Sequence, residues 1–364
     1  MPDRIHIHQD IARAETLPSA VYHDPAIYRH QREAVFARSW QWAGDAGQAR
    51  APYRAAPFTL LEGCLDEPLV LTCDGEGTVR CLSNVCTHRG ALVVEGEGRY
   101  RGGLRCRYHG RRFGIDGRFV SMPEFDDVEG FPTQRDCLPR LPLERWGPFL
   151  FTGIDPAIPF GEWIGPVRRR ADWLPLEELV FDPDSSRDYL IRANWALYCD
   201  NYLEEFHIPY VHPSLSEALD YGAYRTECFR WGNLQLGVAS EGEPCFDLPD
   251  GHPDRGERIA AFYFWLFPNL MLNIYPWGIS VNVVRPLGPE RTRVSFLSYV
   301  LDPSLREQGA GRELHLVEME DEEVVESTQA GVRSRLYERG RYSPRREVGT
   351  HHFHCLLAEA MNGG

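Results

Sequence analysis

The sequence contains no lysine: all 39 basic side chains among its 364 residues are arginine. Arginine stays protonated and offers no amine nucleophile. Schiff-base aldolases, pyridoxal enzymes and Walker-A nucleotide hydrolases each need a lysine, so they are excluded. Long apolar runs are missing too, and none approaches the roughly 18–20 residues that span a membrane. The first twenty residues, MPDRIHIHQDIARAETLPSA, lack the basic start and apolar core of an export signal. A cytoplasmic protein without a membrane partner is expected. Positive charge is in deficit, and the net charge of −14 argues against nucleic acid or anionic lipid as a partner. No G-x-G-x-x-G fingerprint follows a strand, which places any nicotinamide-binding function on another chain.

What is present is ordinary in bulk: 43% hydrophobic and 25% charged residues, as in a globular protein. The length suggests two domains. Ten cysteines are scattered along the chain, and without an export signal they do not suggest a disulfide framework. Eight of them (Cys64, Cys73, Cys81, Cys137, Cys199, Cys228, Cys245 and Cys355) have no ligand-like neighbour and read as small buried residues.

Cys86 and Cys106 differ. The segment 81–114, CLSNVCTHRGALVVEGEGRYRGGLRCRYHGRRFG, holds Cys86-x-His88, seventeen intervening residues, then Cys106-x-x-His109. Each half pairs one cysteine with one histidine and is followed by a glycine, Gly90 or Gly110, which permits a tight turn. A structural zinc finger would pair like with like, C-x₂₋₄-C and then H-x₃₋₅-H. One thiolate and one imidazole from each of two loops is what a Rieske [2Fe–2S] centre uses, with Cys₂ on one iron and His₂ on the other. Flanking strands such as EPLVLTCDG, TVRCLSNV and WGPFLFTGI predict a small β-sandwich or barrel around it.

About 200 residues follow this domain, and within them DNYLEEFHIPYVHP (200–213) places His207 and His212 five apart. On an unbroken helix two such side chains would not share a face. Near-helical apolar spacing runs from Asn194 to Phe206, and Pro209 disfavours helix at Ile208. His207 is therefore expected to end a helix, with His212 on the following loop or turn.

Here the chain resembles the α-subunits of Rieske non-haem iron oxygenases, through Asp200-Asn201-Tyr202, then Glu204-x-x-His207-x₄-His212. The resemblance runs from VYHDPAIYRHQREAVFARSW (21–40) to HHFHCLLAEAM near the end. It implies an α+β fold: an N-terminal helical segment (1–38) packing on the catalytic domain, a Rieske β-sandwich domain (39–157), and a helix-grip, START-like catalytic domain (158–364). It implies a mononuclear Fe(II) on His207, His212 and a distant carboxylate, a facial triad leaving positions for O₂. VEMEDEEVVESTQAGVRSRLY (317–337) resembles the family's acidic helix and aligns that ligand on Asp321. The neighbours Glu320, Glu322 and Glu323 compete with it, or read as a solvated helix start. Glu204 takes the place of the acid that links the two metal sites across a subunit boundary, with Glu205 as its rival. A homotrimer, a ferredoxin or flavin reductase partner, and NAD(P)H acting through that reductase follow from the same resemblance.

The stretch AAFYFWLFPNLMLNIYPWGISVNVVRPLGPERTRVSFLSYV reads as three antiparallel strands of the pocket sheet. Tyr263, Trp265, Phe267, Tyr275 and Trp277 recur at i, i+2 spacing and are candidates for a trimethylammonium-binding aromatic pocket. The branch it resembles most is that of choline, glycine betaine and carnitine monooxygenases, which implies hydroxylation of a small quaternary ammonium compound, with N-demethylation where a hemiaminal collapses. Alternatives are hydroxylation or O-demethylation of an aromatic acid, with Arg285 as carboxylate partner, and a non-catalytic Rieske electron carrier. The HHFH near the end (His351, His352, His354) reads as a packing helix, and the arginine-rich 333–346 as solvated surface or a docking patch for an acidic reductase.

Overall fold

The computed structural model describes residues 4–212, 215, 219–306, 308–311 and 314–363. They form two compact units, one from residues 40–156 and one joining 1–39 to 157–364. Helices and antiparallel sheets occur in both, an α+β architecture.

In the larger unit the chain begins with α1 (Pro25–Gln31), capped by Asp24 accepting from the Ala26 N–H. The N-terminal segment is tied to the chain's end by Thr16 N–H to Gly340 O, Ser19 N–H to Glu338 O and Ile5 N–H to the Asn362 side chain.

The 40–156 unit is built of short strands with two short helical turns, α2 (Ala46–Ala49) and a 3-10 turn at Gln134–Asp136. A three-stranded sheet has the order β1 (Gln41–Asp45), β11 (Phe149–Thr152), β10 (Leu143–Trp146). A five-stranded sheet runs β5 (Gly98–Arg99), β2 (Arg54–Leu60), β3 (Glu67–Cys73), β4 (Val79–Ser83), β9 (Arg140–Leu141). A third small sheet, β6 (Leu104–Arg105), β7 (Arg112–Phe113) and β8 (Phe119–Ser121), carries the Cys106–His109 loop between its first two strands. Val70, Leu82, Val94, Leu104 and Phe113 pack with Cys86 and Cys106 in one core, so both loops grow directly from packed strands.

The larger unit is organised by a seven-stranded antiparallel sheet. Its order is β12 (Val180–Ile191), β18 (Arg291–Val300), β17 (Gly278–Gly288), β16 (Leu270–Tyr275), β15 (Ile259–Leu266), β14 (Gly232–Val238), β13 (Arg225–Phe229). The stretch read as three strands makes four, β15 to β18. Pro276-Trp277 is itself a tight turn, too short to be seen as a break in a run of apolar and aromatic residues.

Among the described residues the unit also carries α3 (Phe160–Ala171), α4 (Trp195–Tyr202), α5 (Ile208–Val211), α6 (Leu314–Val332) and α7 (Val348–Met361). No helix among the described residues is long and apolar enough to cross a membrane. Asn194 caps α4 by accepting from the Ala196 N–H. The buried Gln329 of α6 accepts from the Asn194 N–H at 2.8 Å and donates to Tyr22 O at 3.2 Å. These bonds fix α6 against the start of α4, about two turns from Asn201 and Asp321, where the helices meet the site.

Candidate functional site

In the smaller unit two loops mirror one another. Cys86 N–H donates to Ala91 O and Gly90 N–H to Cys86 O; Cys106 N–H donates to Arg111 O and Gly110 N–H to Cys106 O. Gly90 and Gly110 adopt φ of 74° and 75°, the left-handed conformation that glycine takes without strain. The turns bring like to like. The Cys86 and Cys106 thiols lie within hydrogen-bonding reach, and the His88 and His109 rings stand 4.7 Å apart between centroids. A donor set segregated into a thiol pair and an imidazole pair fits a cluster with two chemically different irons.

Below the loops lies Arg111, only 2% exposed. Its guanidinium sits among Phe113, Phe119 and Phe131 and donates to Asp136 Oδ1 at 2.7 Å and to Asp136 O at 3.1 Å. Thr87, between the first two ligand candidates, donates to the same Asp136 O at 2.8 Å. Asp136 therefore ties both loops together. Burial raises its carboxyl, but the Thr133 and Arg111 hydrogen bonds outweigh that and hold it below its ordinary value.

In the larger unit α4 ends at Tyr202, earlier than its apolar spacing predicts. His207 does not end that helix; it starts the next one. Pro209 stands in the first turn of the four-residue α5, where a missing N–H costs nothing, and His207 and His212 are its two caps. The short helix turns both rings to one side, 5.1 Å apart between centroids. Asp321 Oδ1 lies 2.9 Å from His212 Nε2 and 3.6 Å from His207 Nε2. Among the described residues these three form the group whose donor atoms could hold a metal ion, all within 4.8 Å of one another.

The outer nitrogens are held as well. Glu204 Oε1 lies 2.6 Å from His207 Nδ1, and Glu320 Oε2 lies 2.7 Å from His212 Nδ1. Carboxylates accepting from both Nδ1–H groups leave both Nε2 lone pairs pointing inward, the arrangement that orients imidazole ligands on a metal. Asn201 Nδ2 donates to Asp321 Oδ1 at 2.6 Å and orients that carboxylate. Burial lowers the His212 imidazole, but Asp321 and Glu320 together lift it above its ordinary value. Two imidazoles and one carboxylate on one side of a point fit a 2-His-1-carboxylate iron site.

The rivals of these residues go elsewhere. Glu205 is buried and paired with Arg346 Nη1 at 2.9 Å. Glu320 binds His212 from outside, Glu323 is exposed, and Glu322 lies outside the three-residue group. Of the HHFH residues, His351 and His352 reach the carbonyls of His8 and Phe229, and His354 pairs with Asp200 at 2.7 Å. Within 333–346, Arg346 is committed to Glu205 and Arg333 pairs with Glu290.

A cavity of about 100 Å³ opens beside His207, His212 and Asp321. Among the five rings singled out, Tyr263 and Tyr275 line it, whereas Trp265, Phe267 and Trp277 do not. Trp265 shares the Tyr263 face but lies two residues, roughly 6.6 Å, further along the strand, where Phe353 of α7 and Phe267 cover it. Trp277 stacks behind Tyr275 at 5.3 Å. The remaining rings of the lining are Tyr198, Tyr202, Tyr224 and Phe296. Tyr198 and Tyr202 stand on α4 beside Asn201, so the helix that was read for its acidic-Asn-aromatic motif supplies part of the wall. Arg285 is absent from the lining and contacts Ser295. Glu318, one turn before Asp321 on α6, completes the lining; nothing in the acidic run 318–323 marks it out from its neighbours.

Comparison with known proteins gives two domain matches. The catalytic domain of ring hydroxylating alpha subunits matches residues 172–363, and the Rieske [2Fe-2S] domain matches residues 53–132. The chloroplastic choline monooxygenase of Arabidopsis thaliana is 33% identical over 371 residues, covering 95% of this chain and 83% of its own length. The carnitine monooxygenase oxygenase subunit of Escherichia coli K12 is 30% identical over 376 residues, covering 96% of this chain and 94% of its own. Among solved structures, a quaternary ammonium Rieske monooxygenase studied for carnitine oxidation and inter-subunit electron transfer aligns with a TM-score of 0.77 at 24% identity over 96% of both chains. Naphthalene 1,2-dioxygenase from Rhodococcus sp. aligns with a TM-score of 0.71 at 19% identity, over 95% of this chain and 94% of its own.

Proposed function

Because this chain belongs to the Rieske ring-hydroxylating oxygenase α-subunit family, we propose that it is the terminal oxygenase of a multicomponent system and hydroxylates a small quaternary ammonium compound. In this reading Cys86, His88, Cys106 and His109 hold the [2Fe–2S] cluster, and His207, His212 and Asp321 hold the mononuclear iron. When bound, these groups supply single electrons and activation of O₂ for insertion into a C–H bond.

The observation that carries the substrate class is the charge of the cavity. Its described lining contains the carboxylates of Glu204, Glu318 and Asp321, five tyrosines and a phenylalanine, and no arginine. Apart from the iron position, a carboxylate substrate would find no cationic side chain in the described lining, only carboxyl groups, amides and tyrosines. A trimethylammonium group carries no N–H to satisfy and gains from the faces of Tyr202, Tyr224, Tyr263 and Tyr275. The aromatic-acid alternative loses its proposed partner, since Arg285 is outside the lining. The relatives named for choline and carnitine point the same way. An electron-carrier role is disfavoured by an intact donor set at the second site.

Within this reading Glu204 and Glu320 hold the protons on Nδ1 of His207 and His212, and Asn201 fixes the orientation of Asp321. The tyrosine walls exclude water and keep the substrate beside the iron position. Electrons come from NAD(P)H through a separate ferredoxin or flavin reductase, consistent with the missing nucleotide fingerprint. Glu204 carries them from a neighbouring subunit's cluster, which requires a head-to-tail trimer whose contacts close into a ring. Light scattering should find three chains per particle, and a monomer turning over at full rate would contradict this. The test of substrate class is a panel of quaternary ammonium compounds against aromatic acids with a surrogate reductase. Product is measured rather than NADH loss, since uncoupled oxidation consumes NADH alone. Product from the aromatic acids and none from the onium compounds would overturn the reading.

A further inference from the structure

Glu318 is 2% exposed and lines the cavity beside the proposed iron position. Its Oε2 accepts from the Tyr198 hydroxyl at 2.7 Å. Its Oε1 is buried and has no hydrogen-bond partner among the described residues. Burial pushes its carboxyl well above the ordinary carboxylate range, and the nearby Asp321 adds to this.

A half-satisfied buried carboxylate is expensive to keep, and an apolar residue of similar size would pack there at less cost. Glu318 also stands one turn from Asp321 on the same helix, so two acids face one cavity with no arginine in its described lining. What favours the ionised form of such a group is a positive charge beside it. The groups that line the cavity narrow the kind of charge. An ammonium or guanidinium would ask for several acceptors at hydrogen-bond distance. The lining also holds the rings of Tyr202, Tyr263 and Tyr275, whose faces suit a cation with no N–H donors, while the amide oxygens of Gln235, Asn273 and Asn282 already accept from Tyr224, Tyr202 and Ser280.

We propose that Glu318 is the specificity-determining counter-ion of the cavity: Oε1 faces the onium nitrogen of the substrate while the tyrosines pack its methyl groups. This rests on the quaternary ammonium reading above and assigns discrimination between a cation and a neutral molecule of the same shape to one side chain.

The test uses the purified holoenzyme, held anaerobic so that nothing turns over, and two probes in calorimetric binding. The probes are choline and its uncharged carbon isostere 3,3-dimethylbutan-1-ol. Wild-type protein should bind choline ~10–100-fold more tightly than the isostere, the scale of one desolvated charge pair. Glu318→Gln, which can still accept from Tyr198, should lose that preference by weakening choline alone. Glu318→Met makes the same prediction with another side chain, and the cluster's visible spectrum with far-UV circular dichroism reports folding. Equal weakening of both probes would mark a packing role and overturn the proposal. So would a glutamine variant that keeps the preference, or wild-type protein that binds both probes alike. If instead the wild type binds neither probe and turns over aromatic acids, the substrate class itself has failed, and that result appears before any substitution is made.

Discussion

At the scale of the residue, each of the two inner histidines is defined by what holds its far nitrogen. Glu204 holds His207 and Glu320 holds His212, at 2.6 and 2.7 Å. Glu204 also accepts from the His207 N–H at 3.1 Å and from the Phe206 N–H, so its carboxylate holds the turn leading into α5 as well as orienting the ring. The Glu204-Glu205 doublet, ambiguous in sequence, divides by burial: Glu205 turns inward to Arg346, and Glu204 turns to the site. Glu204→Gln should keep cluster and iron but slow electron arrival, lowering turnover by ~10–100-fold or more. Stopped-flow reoxidation of the reduced cluster with substrate and O₂ checks this, and an unchanged rate would contradict it. The Cys and His spacings were legible because covalent spacing constrains which donors can converge. Glu318 was not, because a carboxylate in the run 318–323 looks alike whether it faces solvent or a cavity, until the helix phase is known.

At the scale of the element, the surprises come from short pieces. Pro209 reads as a helix stop but serves as the first turn of α5, which aims both histidines one way. The pocket sheet gains a fourth strand at Pro276-Trp277, and that turn removes Trp277 from the cavity. Alternation along β15 placed Tyr263 and Trp265 on one face correctly in kind, yet it could not say where α7 would cover that face. In the smaller unit the two mirrored loops depend on Asp136, which bonds Arg111 from one and Thr87 from the other. Its folded carboxyl titrates below the ordinary value of 3.8, so its contribution is fully present above that value and is lost as pH falls through the lowered one. The cluster's visible band should therefore hold down to about pH 3.8 and bleach as pH falls below it. Asp136→Asn should lower thermal stability at neutral pH and flatten that acid dependence. A variant with the wild-type acid profile would show that Asp136 does not hold the loops.

At the scale of the whole molecule, the chain places a β-rich unit of residues 40–156 between the two sequence segments of an α+β unit. The candidate cluster donors lie on the first and the candidate iron donors on the second. In the proposed reading the chain receives its electrons from a separate reductase, and the sequence carries no G-x-G-x-x-G fingerprint of its own. The cavity's lining, on which the proposed preference for an onium compound rests, was invisible until the fold showed which side chains share one space. The most direct test is a single turnover. The holoenzyme is reduced without air, freed of reductant, and exposed to O₂ with a quaternary ammonium compound or with benzoate. The expected result is oxidised onium product approaching one molecule per mononuclear iron, none from benzoate, and none from a His212→Ala variant whose cluster is intact. Reoxidation of the cluster without product, at a rate indifferent to the onium compound, would contradict the account and leave an electron carrier in its place.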